Sequence, residues 1–277
     1  MYHISHISQL ALTLVAAACI LSTAPVKALT TQIIGHRGAS GDAPENTVAS
    51  FKLGYAEGAD GCELDFYSTK DHRLIVIHDA TTKRVAGVDK KVSEQTFNEL
   101  RALEVGQWGK WKSKGFSEKL PTLDEALATI PEGRKLYLHC YCAVNDIKQV
   151  QDAVVHSGKK PYQVVFIAFY LGPCKEFKKV LPQCKAYWLS SYKSKPPSVD
   201  ELIQKAKAAG VDGINLDYHF PIDKAFVEKV HRAGLEMHVW TVDDPSEAVK
   251  LIHAGVDSIT TNRPGWLRAQ VKQQLGN

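Results

Sequence analysis

Residues 199–261 read VDELIQKAKAAGVDGINLDYHFPIDKAFVEKVHRAGLEMHVWTVDDPSEAVKLIHAGVDSITT, and their pattern indicates the fold class. It contains three amphipathic segments with helical periodicity, each followed by a glycine and then by a short apolar run. Glycine directly after a helix is the usual stop signal, and Gly210, Gly234 and Gly255 occupy that place. The runs are almost continuously apolar, which is typical of parallel strands covered by helices. This part of the chain therefore alternates helix and buried strand.

Five more apolar runs of the same kind precede this stretch, so the chain contains eight in all. They cover residues 32–36, 61–66, 135–141, 163–168, 186–189, 213–216, 237–241 and 258–261. Eight buried strands separated by helices predict an α/β fold of the (β/α)8 or TIM-barrel type in a single domain. The chain length of 277 residues suits one such barrel. A doubly wound open sheet is the alternative arrangement of these elements.

Two segments after the second strand interrupt the repeat. Residues 74–77 follow the turn-like Lys70-Asp71-His72, and we expect them to return from the second strand as a hairpin. Residues from about 80 to 121 contain Trp108 and Trp111 but no clear strand. They predict a small insertion beside the barrel mouth, with one helix at about residues 94–103.

Residues 10–24 form an unbroken stretch of apolar and small residues that is too short to span a bilayer comfortably. The small-x-small pattern Val26-Lys27-Ala28 follows. We predict a signal peptide at residues 1–28 that is cleaved after Ala28, and a mature domain at residues 29–277 without a membrane span. The expected location is secreted or periplasmic. An uncleaved anchor and a buried helix are the alternatives.

Charge offers little support for nucleic-acid binding. The formal net charge is +4, and no run of lysine and arginine forms a basic stripe. With 44% hydrophobic and 23% charged residues, the composition is that of an ordinary globular protein.

Six cysteines are present, and five remain once the predicted leader with Cys19 is removed. An exported protein can form disulfides, and Cys174 and Cys184 are the expected pair because they flank a short lysine-rich segment. Cys140 and Cys142 are two residues apart on a predicted strand and should both face away from the barrel interior. This orientation argues against a thiolate metal site.

Two carboxylates are two residues apart on the second strand, in Glu63-Leu64-Asp65. Alternate side chains of a strand face the same way, so both carboxylates point into the barrel while Cys62 and Leu64 face the helices. Carboxylates on one wall of a barrel mouth repel each other unless they are neutralised. Mg²⁺ or Ca²⁺, which prefer oxygen ligands, would neutralise them. Pairing with Arg37 or with lysines is the alternative.

His36 and His78 are the candidate acid and base. Each follows an early strand, and the carboxyl ends of barrel strands are where active sites form. Histidine titrates near neutral pH and can both give and take a proton. Arg37 adds a guanidinium suited to binding two oxygens of one phosphate.

These residues belong to motifs that occur in order along the chain. The motifs are His36-Arg37, Glu45-Asn46, Glu63-x-Asp65, His78-Asp79, Leu120-Pro121-Thr122-Leu123-Asp124-Glu125, Val239-Trp240-Thr241-Val242 and Thr260-Thr261-Asn262-Arg263-Pro264. Together they resemble the signature of the glycerophosphodiester phosphodiesterase family over nearly the whole mature chain. The resemblance implies a TIM barrel, a divalent cation, and hydrolysis of glycerophosphodiesters to glycerol 3-phosphate and an alcohol. It also implies that His36 and His78 are the acid/base pair and that Glu63 and Asp65 are metal ligands.

The third barrel strand departs from the family pattern Ile-Glu-x-Lys. His139 stands where that Glu belongs, and Tyr141 stands where the Lys belongs. If His139 is the third metal ligand, the mixed nitrogen and oxygen set shifts preference from Mg²⁺ or Ca²⁺ toward Mn²⁺ or Zn²⁺. A polar residue without metal contact and a weakened site are the other interpretations.

The predicted substrate-binding residues are Arg37, Glu45, Asn46, Tyr141 and Trp240. Trp240 is near the end of a strand, where it either contacts the alcohol part of a substrate or packs in the core. The expected ligand is a small phosphodiester. One alternative is a lysophospholipase D or sphingomyelinase-like phospholipase on the same barrel. The other is a catalytically weakened phosphodiester-binding protein.

Overall fold

The computed structural model describes residues 30–276. The predicted signal peptide at residues 1–28 lies outside the described residues. Among the helices of the described range, none has the length and apolar character needed to cross a membrane.

Eight parallel strands close into a barrel, as the sequence predicted. The strands are β1 (Gln32–Gly35), β2 (Gly61–Ser68), β4 (Lys135–Cys140), β5 (Val164–Ala168), β6 (Lys185–Ser190), β7 (Gly213–Asp217), β8 (Glu236–Trp240) and β9 (Ser258–Thr261). β1 pairs with β9 on one side and with β2 on the other, which closes the barrel. The open-sheet alternative is therefore excluded.

Helices lie between the strands. They are α1 (Val48–Ala56), α2 (Lys83–Ala86), α3 (Phe97–Ala102), α4 (Leu123–Ala128), α5 (Ile147–His156), α6 (Leu171–Val180), α7 (Val199–Ala209), α8 (Lys224–Arg232), α9 (Pro245–Ala254) and α10 (Pro264–Gln274). Gly210 and Gly255 end α7 and α9 in the left-handed conformation, with φ of +70° and +95°. Gly234 follows the end of α8 in the same way, with φ +76°. All three predicted glycine stop signals are therefore confirmed.

The family-like segment after residue 120 is explained by helix capping. The Thr122 hydroxyl accepts a hydrogen bond from the Glu125 amide, and the Glu125 carboxylate accepts one from the Thr122 amide. This reciprocal pair begins α4. The Thr122 and Glu125 side chains of the motif therefore have a structural role at the start of α4.

The expected hairpin and insertion are present after β2. β3 (Leu74–Val76) pairs antiparallel with the end of β2. The segment that follows carries α2 and α3, and α3 at Phe97–Ala102 falls inside the predicted helix at about residues 94–103. A separate apolar cluster fastens this insertion to β3, and its members include Ile75, Val85 and Leu100.

Strand alternation divides the core into two layers. Cys62 and Leu64 of β2 pack in the layer between strands and helices. A smaller cluster inside the barrel includes Tyr137, Ile167 and Tyr187.

The expected disulfide between Cys174 and Cys184 is wrong. Both thiols are free and buried in the layer of helices and strands, where they pack as small apolar side chains. A disulfide instead joins Cys140 and Cys142, whose Cα atoms are 5.4 Å apart. Cys140 faces away from the barrel interior as expected, and the chain leaves β4 directly after it, which brings Cys142 within reach.

Candidate active site

The pairing of β2 with β4 brings three predicted metal ligands together. Asp65 is directly opposite His139 in this register, and Glu63 is opposite Tyr137. His139 Nδ1 is 2.9 Å from Asp65 Oδ1 and 3.6 Å from Glu63 Oε1. One possible ligand atom from each of Glu63, Asp65 and His139 lies within 4.8 Å of the others, and all three residues are buried. This cluster could hold a metal ion.

The loop after β1 wraps around the Glu63 carboxylate. The backbone amide of Arg37 donates to Glu63 Oε2 at 2.9 Å, with Arg37 in the left-handed region at φ +54°. Gly38 follows at φ +81°, and a Cβ atom there would lie 2.5 Å from the Ser50 carbonyl carbon. Glycine therefore allows this loop to pack directly on α1. The loop places His36 and Arg37 beside the two carboxylates.

Asn46 and Glu45 support this arrangement from behind. The Asn46 amide nitrogen donates to Asp65 Oδ2 at 2.9 Å, and its oxygen accepts the Asp65 backbone amide at 3.1 Å. Glu45 accepts from Arg37 Nη1 at 2.9 Å. Neither residue lines the cavity at the barrel mouth. Both residues therefore lie behind Arg37 and Asp65, and their contact with a substrate stays a prediction.

In each of the two histidines, the Nδ1 atom is within hydrogen-bond distance of a side-chain oxygen. His36 Nδ1 is 2.8 Å from Asn262 Oδ1, and His78 Nδ1 is 2.7 Å from Asp79 Oδ1. Asp243 accepts from both the side-chain and backbone amides of Asn262, which turns the Asn262 oxygen toward His36. An amide oxygen is only an acceptor, so His36 carries its proton on Nδ1. His36 itself lines the cavity at the barrel mouth.

One cavity joins these groups at the barrel mouth. Its charged and titratable lining includes His36, Arg37, Glu63, Asp65, His78 and His139. Its aromatic and aliphatic lining includes Tyr141, Ile167, Phe169, Leu189 and Trp240. The cavity therefore has a charged side and an apolar side.

Tyr141 lies between the Glu63–Asp65–His139 cluster and His78. Its ring stacks on Tyr67 with centroids 4.9 Å apart and meets the His139 ring at 4.3 Å. The His78 ring approaches it edge-on at 5.9 Å. Burial, with the nearby Asp65 and Glu63 carboxylates, raises the pKa of Tyr141 well above its usual range. The residue is therefore a neutral phenol where the family pattern has a lysine cation.

Charges within the Glu63–Asp65–His139 cluster shift the pKa values of His139 and Asp65. Burial alone would lower the pKa of His139, but its hydrogen bond to Asp65 and the nearby Glu63 raise that pKa to about 9. Burial alone would raise the pKa of Asp65, but contacts with His139 and Arg37 hold it well below its usual range. Without a metal, an imidazolium therefore balances the carboxylates.

Two groups at the site were missed by the sequence analysis. Asp243 orients Asn262, and Arg84 of the insertion contacts both Glu45 and Asp79. The motif containing Asn262 was singled out, but no sequence signal connects Asp243 or Arg84 to the site. These contacts depend on how distant loops meet.

Known proteins resemble this chain over most of its length. It is 32% identical over 245 residues to a glycerophosphodiester phosphodiesterase of Caldanaerobacter subterraneus subsp. tengcongensis, covering 84% of this chain and 95% of that protein. A phosphodiesterase of Oleispira antarctica, solved in complex with the product sn-glycerol-3-phosphate, superposes with a TM-score of 0.75 at 25% identity, covering 88% of this chain and 97% of that chain. A glycerophosphodiester phosphodiesterase structure from Agrobacterium tumefaciens gives a TM-score of 0.70 at 26% identity, covering 86% and 99%.

Fold, site and relatives together define an enzyme of the (β/α)8-barrel phosphodiesterase class. The model of the glycerophosphoryl diester phosphodiesterase family matches residues 36–266, and the chain belongs to that family. The matched range begins at His36 and includes every predicted site residue.

Proposed function

We propose that this enzyme hydrolyses glycerophosphodiesters to glycerol 3-phosphate and an alcohol, with a divalent cation and with His36 and His78 as the proton-transfer groups. The observation that carries the proposal is the single cavity lined by both histidines, Arg37 and the buried Glu63–Asp65–His139 cluster. The product complex of the Oleispira antarctica relative supports the choice of product.

The three clustered residues fit a divalent cation. They offer two carboxylates and an imidazole whose Nε2 atom is buried without a hydrogen-bond partner within residues 30–276. Asn46 and Arg37 already fix the orientation of Asp65, as outer partners of metal ligands commonly do. A cation held by Glu63, Asp65 and His139 would supply positive charge to the phosphate oxygens.

Arg37 is the proposed phosphate clamp. Its guanidinium is fixed by Glu45 at 2.9 Å and lies 3.1 Å from Asp65 Oδ2, at the charged side of the cavity. A planar guanidinium can bind two oxygens of one phosphate. Its charge would therefore offset the negative charge that develops on those oxygens during the reaction.

His36 and His78 are the proposed proton carriers. Because each histidine has its Nδ1 atom engaged, its Nε2 atom is the one available to the cavity. One Nε2 would take the proton of the nucleophile, and the other would give a proton to the departing alcohol oxygen. The phosphorus–oxygen bond to that alcohol breaks as the new phosphorus–oxygen bond forms.

The nucleophile is water or the substrate's own glycerol hydroxyl. The hydroxyl route passes through a transient cyclic phosphate, whereas attack by water does not. Phosphorus NMR of the reaction distinguishes the two routes. A time course that shows direct hydrolysis only would eliminate the hydroxyl route.

Tyr141 and Trp240 are proposed to contact the alcohol part of the substrate. They line the apolar side of the cavity together with Phe169, whose ring meets Trp240 edge-on at 5.7 Å. An apolar wall beside a phosphate site suits a carbon-rich or cationic headgroup. We expect Trp240→Ala to raise KM for glycerophosphocholine more than for glycerophosphoglycerol. Equal changes for the two substrates would contradict this contact.

Metal dependence is tested on chelator-treated protein. We expect no hydrolysis of glycerophosphocholine without metal and recovery with a divalent cation. Because His139 contributes a nitrogen ligand, Mn²⁺ or Zn²⁺ should reach half-maximal activity at a lower concentration than Mg²⁺ or Ca²⁺. Folded protein that binds glycerol 3-phosphate but shows no turnover with any of the four ions would support the binding-protein alternative. Faster turnover of lysophospholipids would support the phospholipase alternative.

Export with cleavage after Ala28 is also proposed. The support is the apolar stretch at residues 10–24 and a disulfide between Cys140 and Cys142, a bond typical of oxidising compartments. Mass spectrometry of the protein from its native cells should find a mature chain beginning at Leu29. A chain that retains residues 1–28 would contradict the proposal.

A further inference from the structure

Arg84 of the insertion makes four hydrogen bonds to two carboxylates. Its Nη1 and Nη2 atoms donate to Glu45 Oε2 and Oε1, both at 2.8 Å. Its Nε and Nη2 atoms donate to Asp79 Oδ2 and Oδ1 at 2.7 and 2.9 Å. The next residue, Val85, is buried in the apolar cluster of the insertion and anchors α2. The Trp108 ring lies 4.9 Å from the Arg84 guanidinium.

Each of these carboxylates also holds a residue of the proposed catalytic site. Glu45 accepts from Arg37 Nη1 at 2.9 Å, and Asp79 is 2.7 Å from His78 Nδ1. An unbroken series of polar contacts therefore runs from Arg37 through Glu45, Arg84 and Asp79 to His78. It joins the loop after β1 to the segment after β3.

The two carboxylates of this series have lowered pKa values. Hydrogen bonds from Arg84 lower the pKa of Asp79 to about 2. Partial burial acts against this shift, and the contact with His78 adds to it. Burial would raise the pKa of Glu45, but contacts with Arg84 and Arg37 lower it below its usual value. Both carboxylates are therefore ionised, and the guanidinium between them is the matching cation.

We propose that Arg84 is a positioning residue that sets Arg37 and His78 at a fixed separation across the barrel mouth. The inference rests on the proposed function, because it assigns Arg37 to the phosphate and His78 to proton transfer. A rigid guanidinium fork can hold both carboxylates at once, whereas a lysine ammonium is a single point of charge on a flexible stem. Shape as well as charge is therefore required at this position.

The test compares Arg84→Lys and Arg84→Ala with the matched variants Arg101→Lys and Arg101→Ala. Arg101 is in the same insertion and forms a bidentate pair with Glu125 at 2.7 Å, away from the cavity. Its exposed side-chain fraction of 28% is close to the 37% of Arg84. Arg101 also donates to the Leu120 carbonyl at 2.6 Å, so its variants control for the loss of an arginine ion pair and hydrogen bonds within the insertion.

We expect both Arg84 variants to lose about tenfold or more in kcat/KM for glycerophosphocholine, because small displacements of reacting groups are costly. The loss should appear in kcat through His78 and in KM through Arg37. Arg84→Lys should recover little of it. The NMR signal of the His78 Nδ1 proton should broaden or shift in the Arg84 variants but not in the Arg101 variants.

The outcomes separate the two proposals. Wild-type protein without turnover would remove the proposed function. Active wild-type protein, with Arg84 variants that match the Arg101 variants in kcat, KM and the His78 signal, would overturn the role of Arg84. Full activity in Arg84→Lys would show that charge alone suffices and would overturn the positioning argument. Unfolding midpoints measured on all four variants allow kcat to be expressed per folded molecule, so a folding defect cannot imitate the effect.

Discussion

Replacing Asn46 by glycine should destabilise the metal-free protein through Asp65. Asn46 is buried and sits in the left-handed region at φ +56°, which glycine also adopts freely. The variant therefore removes the side chain without adding backbone strain. It deletes one hydrogen bond to the Asp65 carboxylate and leaves the Asp65 backbone amide without its acceptor.

The magnitude follows from these two losses. A hydrogen bond to a charged group contributes about 1.5 kcal/mol at the low end of its range, which applies because Arg37 and His139 still contact Asp65. A buried amide without an acceptor costs about 1.5 kcal/mol more. We therefore expect Asn46→Gly to lower the free energy of unfolding by about 3 kcal/mol. Asn46→Ala should lose about 1 kcal/mol beyond that, because alanine disfavours the left-handed conformation.

Urea unfolding of the chelator-treated protein, followed by tryptophan fluorescence and linear extrapolation, measures these differences. Ser113→Gly is the control, because Ser113 is also left-handed at φ +63° but lies on the exposed part of the insertion. It should leave the free energy of unfolding unchanged or slightly increased. A loss below about 1 kcal/mol for Asn46→Gly would refute the claim that Asn46 holds Asp65.

Three further predictions concern other contacts. Asn262→Leu should reduce kcat about tenfold or more with little change in the unfolding midpoint, because His36 loses its Nδ1 acceptor; unchanged kcat would contradict this role. His139→Gln should weaken Mn²⁺ and Zn²⁺ binding in calorimetry more than Mg²⁺ binding, and equal weakening would argue against nitrogen ligation. Glu236 has a pKa lowered well below its usual range because contacts with His238, Tyr187 and Lys185 outweigh burial. A depressed folded-state pKa contributes stability above the unfolded-state value that is lost as pH falls, so Glu236→Gln should destabilise the protein at pH 7 and progressively less below about pH 4.5. A pH-independent difference in urea midpoints would contradict this coupling.

Local patterns in the sequence were sufficient to predict the barrel. Continuous apolar runs and the glycines that end α7 and α9 identify buried strands and their helices without any long-range information. Period-2 alternation was also sufficient to place Glu63, Asp65 and His139 on the inner face. These inferences depend only on residues close together along the chain.

Long-range pairings could not be predicted in this way. Arg84 meets Glu45 across 39 positions, and Asn262 meets His36 across 226. Such contacts depend on the geometry of loops at the barrel mouth rather than on strand periodicity. The wrong cysteine pair has a local cause, because Cys142 reaches Cys140 only where the chain leaves β4 directly after Cys140, and strand periodicity does not locate that exit.

The central claim is that His36 and His78 carry out proton transfer in a metal-dependent hydrolysis, and release of glycerol 3-phosphate tests it most directly. The amount released per mole of folded protein is measured with glycerophosphocholine and saturating divalent cation, for wild type, His36→Ala and His78→Ala. General acid–base catalysis typically contributes a factor of about 10² to 10⁴, so each variant should lose at least about 100-fold while it retains bound metal and its unfolding midpoint. Wild-type rates in either folded variant would contradict the account.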